Sequence, residues 1–275
     1  MGGFEQKVIY WNVAAFLLSI VFFYQFKFGQ FDLPGWIVLS ADVEGLLLKP
    51  WTLITYSFFH AGFFHLLFNM MVLNFAGRLF LTFFTQKQFL GLYLLSGIFA
   101  GIIFVAAYYL LGLSASIVGA SGAIMAILVA TATYSPYMNL RLLLIGNVKL
   151  WHFTAVVLIL DLLYLFAENT GGHIAHLAGA FFGFLYIKLL QSGTDLSKGI
   201  SFIFDSAANL FTRKKATPFK KVHRNYTPKP EKMASKIVTK DKTQQQIDEI
   251  LDKISQSGYD SLTKDEKEFL FKAGK

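Results

Sequence analysis

The chain has 275 residues, of which 55% are hydrophobic, 17% aromatic and 15% charged, with a formal net charge of +8. Soluble domains carry about 25% charged residues, so this composition excludes an ordinary water-soluble enzyme. The absence of cysteine excludes disulfide frameworks, thiol nucleophiles and Cys-based zinc or iron–sulfur sites.

Charge divides the chain. Residues 1–191 hold 8 Lys+Arg and 6 Asp+Glu, and residues 192–275 hold the other 17 and 11. The first part reads as membrane and the second as a solvated tail, whose basic balance points to an anionic membrane surface and not to nucleic acid. A helix crosses roughly 30 Å of hydrocarbon with about 20 apolar residues. The first span is predicted at 8–26, too long and too poor in preceding positive charge for a cleaved signal peptide. A second runs over 50–77. Residues 88–140 contain no charged side chain and divide at the small-residue turn Gly112-Leu113-Ser114-Ala115-Ser116 into spans near 88–111 and 117–135. The fifth, 150–167, carries Asp161, and the sixth covers about 171–187. The expected fold class is an all-α membrane protein, a six-helix transmembrane bundle with a small helical tail.

Lys7, Arg78, Lys87, Arg141, Lys149 and the basic tail fall on one side of such a bundle. Lys27 and Lys49 on the other are diluted by Asp32, Asp42, Glu44 and Glu168. Both termini are therefore expected inside. After the sixth span, Ile200, Ile203, Phe204, Ala207, Leu210 and Phe211 recur with helical spacing, as in a helix lying in the interface. Arg213, Lys214, Lys215, Lys220, Lys221 and Arg224 follow with no acid among them, a positive-inside flank that also suits anionic lipid. Residues 225–243 read as a linker. Ile247, Ile250, Leu251 and Ile254 mark an amphipathic helix, broken at Ser257-Gly258. Thr263 and Glu266 have capping-box spacing, so a helical hairpin closes the chain. The divisions expected are a membrane core at 1–191, a basic juxtamembrane segment and linker at 192–243, and the hairpin at 244–275.

Polar side chains inside spans are functional candidates by default, although Ser, Thr and Asn also join helices. His60, His65 and Asn69 lie in the second span, Ser121 opens the fourth, Asp161 sits in the fifth, and His173 and His176 open the sixth. The second, fourth and sixth spans run in the same direction, so Ser, His and Asn converge at one depth near the outer face. Gly119-Ala120-Ser121-Gly122 leaves almost no bulk beside the hydroxyl. Gly179 and Gly183 lie on the His176 face, where small residues allow the close approach that a Ser–His hydrogen bond needs. His65 and Asn69 share a helix face and can donate to an oxyanion beside the Ser121 N–H.

The stretch Pro50-Trp51-Thr52 through His60, His65, Asn69 and Met70 resembles the second helix of rhomboid intramembrane serine proteases. Gly119-Ala120-Ser121-Gly122 resembles that family's G-x-S-G motif. His176-Leu-Ala-Gly179-Ala-Phe-Phe-Gly183 resembles its H-x-x-G-x-x-x-G helix. The resemblance covers about 50–190. It implies Ser121 as nucleophile, His176 as general base, and His65 and Asn69 as oxyanion-hole side chains. It implies single-pass or multi-pass membrane proteins as substrates, no cofactor or metal, and a bacterial inner membrane as location. Met125 departs from a Tyr found in some members, and no Trp-Arg pair marks the first outer segment. His173 is a rival base, and His60 reads as a brace for the outer loop. Asp161 reads as a structural hydrogen-bonder, or as a third member of a triad. A protease-dead membrane-protein escort and a transporter are the alternative functions. Four histidines without an H-E-x-x-H or a charged ligand among them argue against a metal.

Overall fold

The computed structural model describes residues 3–142, 146–165, 169–211 and 242–273. It divides into two units, 1–214 and 215–275.

In the first unit, α1 (Phe4–Phe23), α4 (Phe63–Leu81), α5 (Gln86–Leu111) and α8 (Thr170–Gln191) are each long and apolar enough to cross a membrane. Two shorter apolar helices complete the bundle: α6 (Ser121–Tyr134) and α7 (Leu150–Tyr164). Short helices α2 (Val43–Leu48) and α3 (Thr52–Thr55) precede α4, and α9 (Ser197–Phe211) follows α8. Local chemistry sets several boundaries. Asp42 caps α2 by accepting from the N–H groups of Glu44 and Gly45 at 3.1 and 2.9 Å. Thr85 and Gln88 form a reciprocal capping box at the start of α5, which satisfies donors that a helix N-terminus leaves free. Gly112 ends α5 in the left-handed conformation, φ 65°, which costs glycine nothing.

The bundle is built around α6. Every residue from Gly122 to Ala132 is buried, with α8, α5 and α4 packed against it. At 1.5 Å per residue, 14 residues reach about 21 Å, short of a full crossing, and the approach to α6 is made by non-helical backbone. Such backbone is tolerated at membrane depth where protein surrounds it. In contrast, α7 buries only Leu150, Thr154 and Asp161, and Ile159, Leu162 and Leu163 are exposed, an apolar surface suited to lipid.

The structure differs from the sequence expectation in three places. The second span is not one helix. After α3 a single 3-10 turn (Tyr56–Phe58) leads into extended backbone, and α4 starts only at Phe63. The carbonyls released from the helical ladder find other partners: Tyr56 O accepts from Gly119 N at 2.9 Å and Ser57 O from the Tyr93 hydroxyl at 3.0 Å. Of the six expected spans, four have crossing length, whereas α6 and α7 do not. Three small antiparallel pairs join the helices: β1 (Tyr24–Gln25) with β2 (Gln30–Phe31), β3 (Leu39–Ser40) with β4 (Ser116–Ile117), and β5 (Asn139–Leu142) with β6 (Gly146–Lys149). After α8, α9 is anchored to α5. Asp195 accepts from Ser197 N and Oγ at 2.9 and 2.6 Å and from Gln88 Nε2 at 3.2 Å. Lys87 pairs with Asp205 at 2.7 Å.

The second unit contains the helices α10 (Lys242–Ser257) and α11 (Lys264–Ala273). Glu266 accepts from Thr263 N at 2.7 Å while Thr263 Oγ1 accepts from Glu266 N at 3.3 Å. Lys253 pairs with Glu266 at 2.8 Å. The basic run from Arg213 to Arg224 and the linker up to Asp241 lie outside the described residues.

Candidate active site

Three helix N-termini meet at the site. Ser121 is the first residue of α6, His173 and His176 lie in the first two turns of α8, and His65 and Asn69 lie in the first two turns of α4. The loop before Ser121 is held at both ends: Leu39 pairs with Ile117 across β3–β4, and Gly119 N donates to Tyr56 O. Gly119 has φ +132°, and a Cβ there would lie 2.9 Å from the His65 imidazole. Both conformation and space therefore require glycine, and the His65 ring is placed directly against the approach to Ser121.

Glycine also sets the distance between α6 and α8. A Cβ at Gly179 would stand 2.0 Å from the Gly122 carbonyl oxygen, and one at Gly183 would stand 2.2 Å from that of Ala126. At Gly122 a Cβ would meet Ala175 O at 3.1 Å and Ala100 Cβ at 3.2 Å. With the backbones this close, Ser121 Oγ lies 2.6 Å from His176 Nε2. His176 Nδ1 in turn lies 2.9 Å from Asp161 Oδ1, and His173 Nδ1 reaches the same oxygen at 2.5 Å. A carboxylate oxygen accepts only, so it selects Nδ1–H on both rings. The Nε2 lone pair of His176 is then directed at the serine hydroxyl, which donates to it. His173 stacks on Tyr164, with ring centroids 6.3 Å apart and an interplanar angle of 19°.

Asn69 Nδ2 donates to the His65 carbonyl one turn back at 2.8 Å, which fixes the amide and leaves its second N–H free to serve another acceptor. Among the described residues the Ser121 N–H, at a helix start, has no acceptor; the partial positive charge of a helix N-terminus adds to its reach for an anion. His60 is fully buried and meets His65 edge-on, with ring centroids 5.0 Å apart. It contacts the site through the His65 ring.

A cavity of about 390 Å³ opens beside these groups. Ser121, Asn69, His176 and Asp161 line its polar wall, and its apolar wall includes Phe68 from α4 and Val157 from α7. Met125 also faces it. The donor atoms of Asp161, His173 and His176 lie within 4.8 Å of one another, close enough to share a cation. The same Asp161 Oδ1 lies within hydrogen-bond distance of both imidazole Nδ1 atoms. The direct link from Asp161 to His176, and the part played by Tyr164, were not fixed by the sequence reading. The available signal was Asp161 itself, the only acid in the 150–167 span.

A rhomboid domain profile matches residues 48–192, and a family of unknown function matches residues 238–272. The chain is 30% identical over 157 residues to the mitochondrial presenilin-associated rhomboid-like protein of Homo sapiens, covering 54% of this chain and 39% of that protein. It is 31% identical over the same length to the protein of that name from Bos taurus, covering 54% and 40%. The chain thus spans about two-fifths of the length of these relatives. The rhomboid profile covers more than half of the chain and includes all three helices that meet at Ser121 and His176. The chain belongs to the rhomboid family.

Proposed function

We propose that this protein is an intramembrane serine endopeptidase that cleaves transmembrane segments of membrane proteins. The observation that carries the reading is the 2.6 Å approach of Ser121 Oγ to His176 Nε2 beside a largely apolar cavity. Nucleophile and base within about 2.6–3.2 Å is the arrangement that activates a serine.

In the proposed reaction, His176 Nε2 takes the Ser121 hydroxyl proton as Oγ bonds to the scissile carbonyl carbon. The carbonyl π electrons move to oxygen, and the oxyanion is met by the Ser121 N–H, the free Asn69 N–H and His65. The His176 imidazolium gives its proton to the amide nitrogen as the C–N bond breaks. Water then attacks the acyl-enzyme, His176 takes and returns a proton again, and a carboxylic acid leaves. The Phe68 and Val157 walls of the cavity suit an apolar chain segment, which has to be locally unwound because a helical carbonyl is shielded within its own ladder.

For the membrane part we propose six crossings, with α6 and α7 as short ones, and both termini on the inner side. The Lys and Arg distribution supports that orientation. The proposed site then lies toward the outer face, and the basic segment after α9 rests on anionic inner-leaflet lipid.

The test is labelling of the full-length protein, in its membrane or in mild detergent, with a fluorophosphonate probe. Covalent labelling at Ser121, absent in Ser121→Ala, is expected, together with cleavage of a reporter transmembrane substrate. No labelling and no cleavage by a folded protein would leave a rhomboid-fold protein that binds membrane partners without cutting them.

A further inference from the structure

We propose that Asp161 is a positioning residue of this site, the third member of a Ser121–His176–Asp161 relay, and that His173 locks its carboxylate in place. The inference rests on the serine-protease reading above. Asp161 is buried on α7, a helix with little other packing, and its Oδ1 accepts from two histidines of α8. Oδ2 is buried and has no hydrogen-bond partner among the described residues. The carboxylate is therefore held by the two imidazole N–H groups and by nothing else among those residues.

That geometry does two things for His176. It selects the Nδ1–H tautomer, because a carboxylate cannot donate. Without it, a neutral imidazole is free to place its proton on Nε2, and such a ring donates to Ser121 where it has to accept. Asp161 also supplies an opposite charge 2.9 Å from the ring at the moment the imidazolium forms, in a cavity whose walls are largely apolar and where charge interactions are strong. His173, one turn earlier on α8, fixes the same oxygen from a second direction and stacks on Tyr164. The carboxylate is thereby kept from rotating away from His176.

A purely structural tie between α7 and α8 would use the same bonds, so the test has to separate the two roles. Asp161→Asn, nearly isosteric, and Asp161→Ala are prepared in the full-length protein. For each, kcat and KM on a reporter transmembrane substrate are measured per folded molecule, beside the melting temperature. Asp161→Asn is expected to lose up to about 10⁴-fold in kcat, the loss a wrong histidine tautomer produces, with KM and melting temperature little changed. Formate, a carboxylate small enough for the cavity, is expected to restore turnover to Asp161→Ala but not to Ser121→Ala. Asp161→Asn turnover within about threefold of the native protein would overturn the proposal. So would a kcat loss that formate does not relieve or that only follows the folded fraction. Inhibition of the native protein by 1,10-phenanthroline, reversed by zinc, would assign the three groups to a metal and overturn it too. A native protein that neither labels nor cleaves defeats the protease reading and this proposal together. Native cleavage with an indifferent Asp161→Asn defeats this proposal alone.

Discussion

Ser121 and His176 are 55 residues apart in sequence and 2.6 Å apart in space, joined across the glycine-lined contact of α6 with α8. Neither side chain has another hydrogen-bonding route to the other's helix among the described residues. The pair is expected to act as a unit.

Ser121→Ala and His176→Ala are each expected to abolish cleavage of a transmembrane reporter, and the double variant to be no worse than either single one. His173→Ala, which removes a ring 2.5 Å from Asp161 but not the ring at Ser121, is expected to retain part of the rate. Turnover of the four proteins at matched folded fraction checks this. Retained activity in His176→Ala with loss in His173→Ala would move the base to His173.

Removing one preorganised oxyanion donor typically costs about 10²–10³ in turnover, roughly 2.7–4 kcal/mol. Asn69→Ala is expected to fall in that range in kcat, with little change in KM, since the donor matters most when charge develops. Its bond to the His65 carbonyl is local to α4, so the melting temperature is expected to move little. A lower melting temperature with near-normal turnover of the folded fraction would make Asn69 a helix brace.

Gly179→Ala is expected to separate α8 from α6. The new Cβ would lie 2.0 Å from Gly122 O, far inside the 3.4 Å at which ordinary contact begins. Overpacking of this kind costs about 1–3 kcal/mol, and a displacement of about 1 Å at a catalytic pair can cost about 10²-fold in rate. Gly199→Ala in α9 is the control, because a Cβ there meets nothing within 4 Å. It is expected to be neutral or to stabilise by about 0.4–1 kcal/mol. Melting temperature and turnover of the two variants provide the comparison.

Truncation is expected to be tolerated after Lys214, where the first unit ends, and to be harmful after Thr194. The second cut removes Asp195 and Ser197, which tie the end of α8 to α5 and α9. Burial pushes the Asp195 carboxyl up, but hydrogen bonds from Ser197, Gln88 and Tyr186 outweigh it and hold the group below the ordinary carboxylate range. Equal melting temperatures for both truncations would show that α9 adds nothing to the bundle.

In the second unit, Lys253 and the Thr263 N–H hold the Glu266 carboxyl down at about 2, from an ordinary 4.5. A carboxyl lowered by folding stabilises the folded state above its unfolded value, and that contribution is lost as pH falls through the folded value. Amide protection in the first turn of α11 is therefore expected to be constant above about pH 5 and to decline between about 4.5 and 2. Hydrogen exchange of the full-length protein measures it. Glu266→Gln is expected to flatten the profile.

Much of the site was legible in the sequence because it depends on local rules. Charge-free runs gave the positions of α5 and α8 to within a few residues, and Gly179 and Gly183 pointed to close backbone contact beside His176. The segment 52–62 was misread as continuous helix. Its carbonyls are satisfied by Gly119 and Tyr93, partners some 36 to 63 residues distant that no hydropathy pattern encodes. For the same reason β3–β4, a two-residue pairing between distant loops, left no periodic trace. Asp161 was visible as the lone acid of its span, but its direction depends on how α7 seats against α8, which is tertiary.

Gly179 and Gly183 have a further consequence for how this sequence can change. Any missense change of a glycine codon adds at least a Cβ, and at these two positions the first added carbon already collides with the backbone of α6. No conservative neighbour exists for either, so the route from one functional sequence to another cannot pass through them singly. The exposed apolar positions of α7, such as Ile159 and Leu163, can exchange among apolar residues without touching the site. Backbone contact alone thus holds to glycine two positions that contribute no side chain.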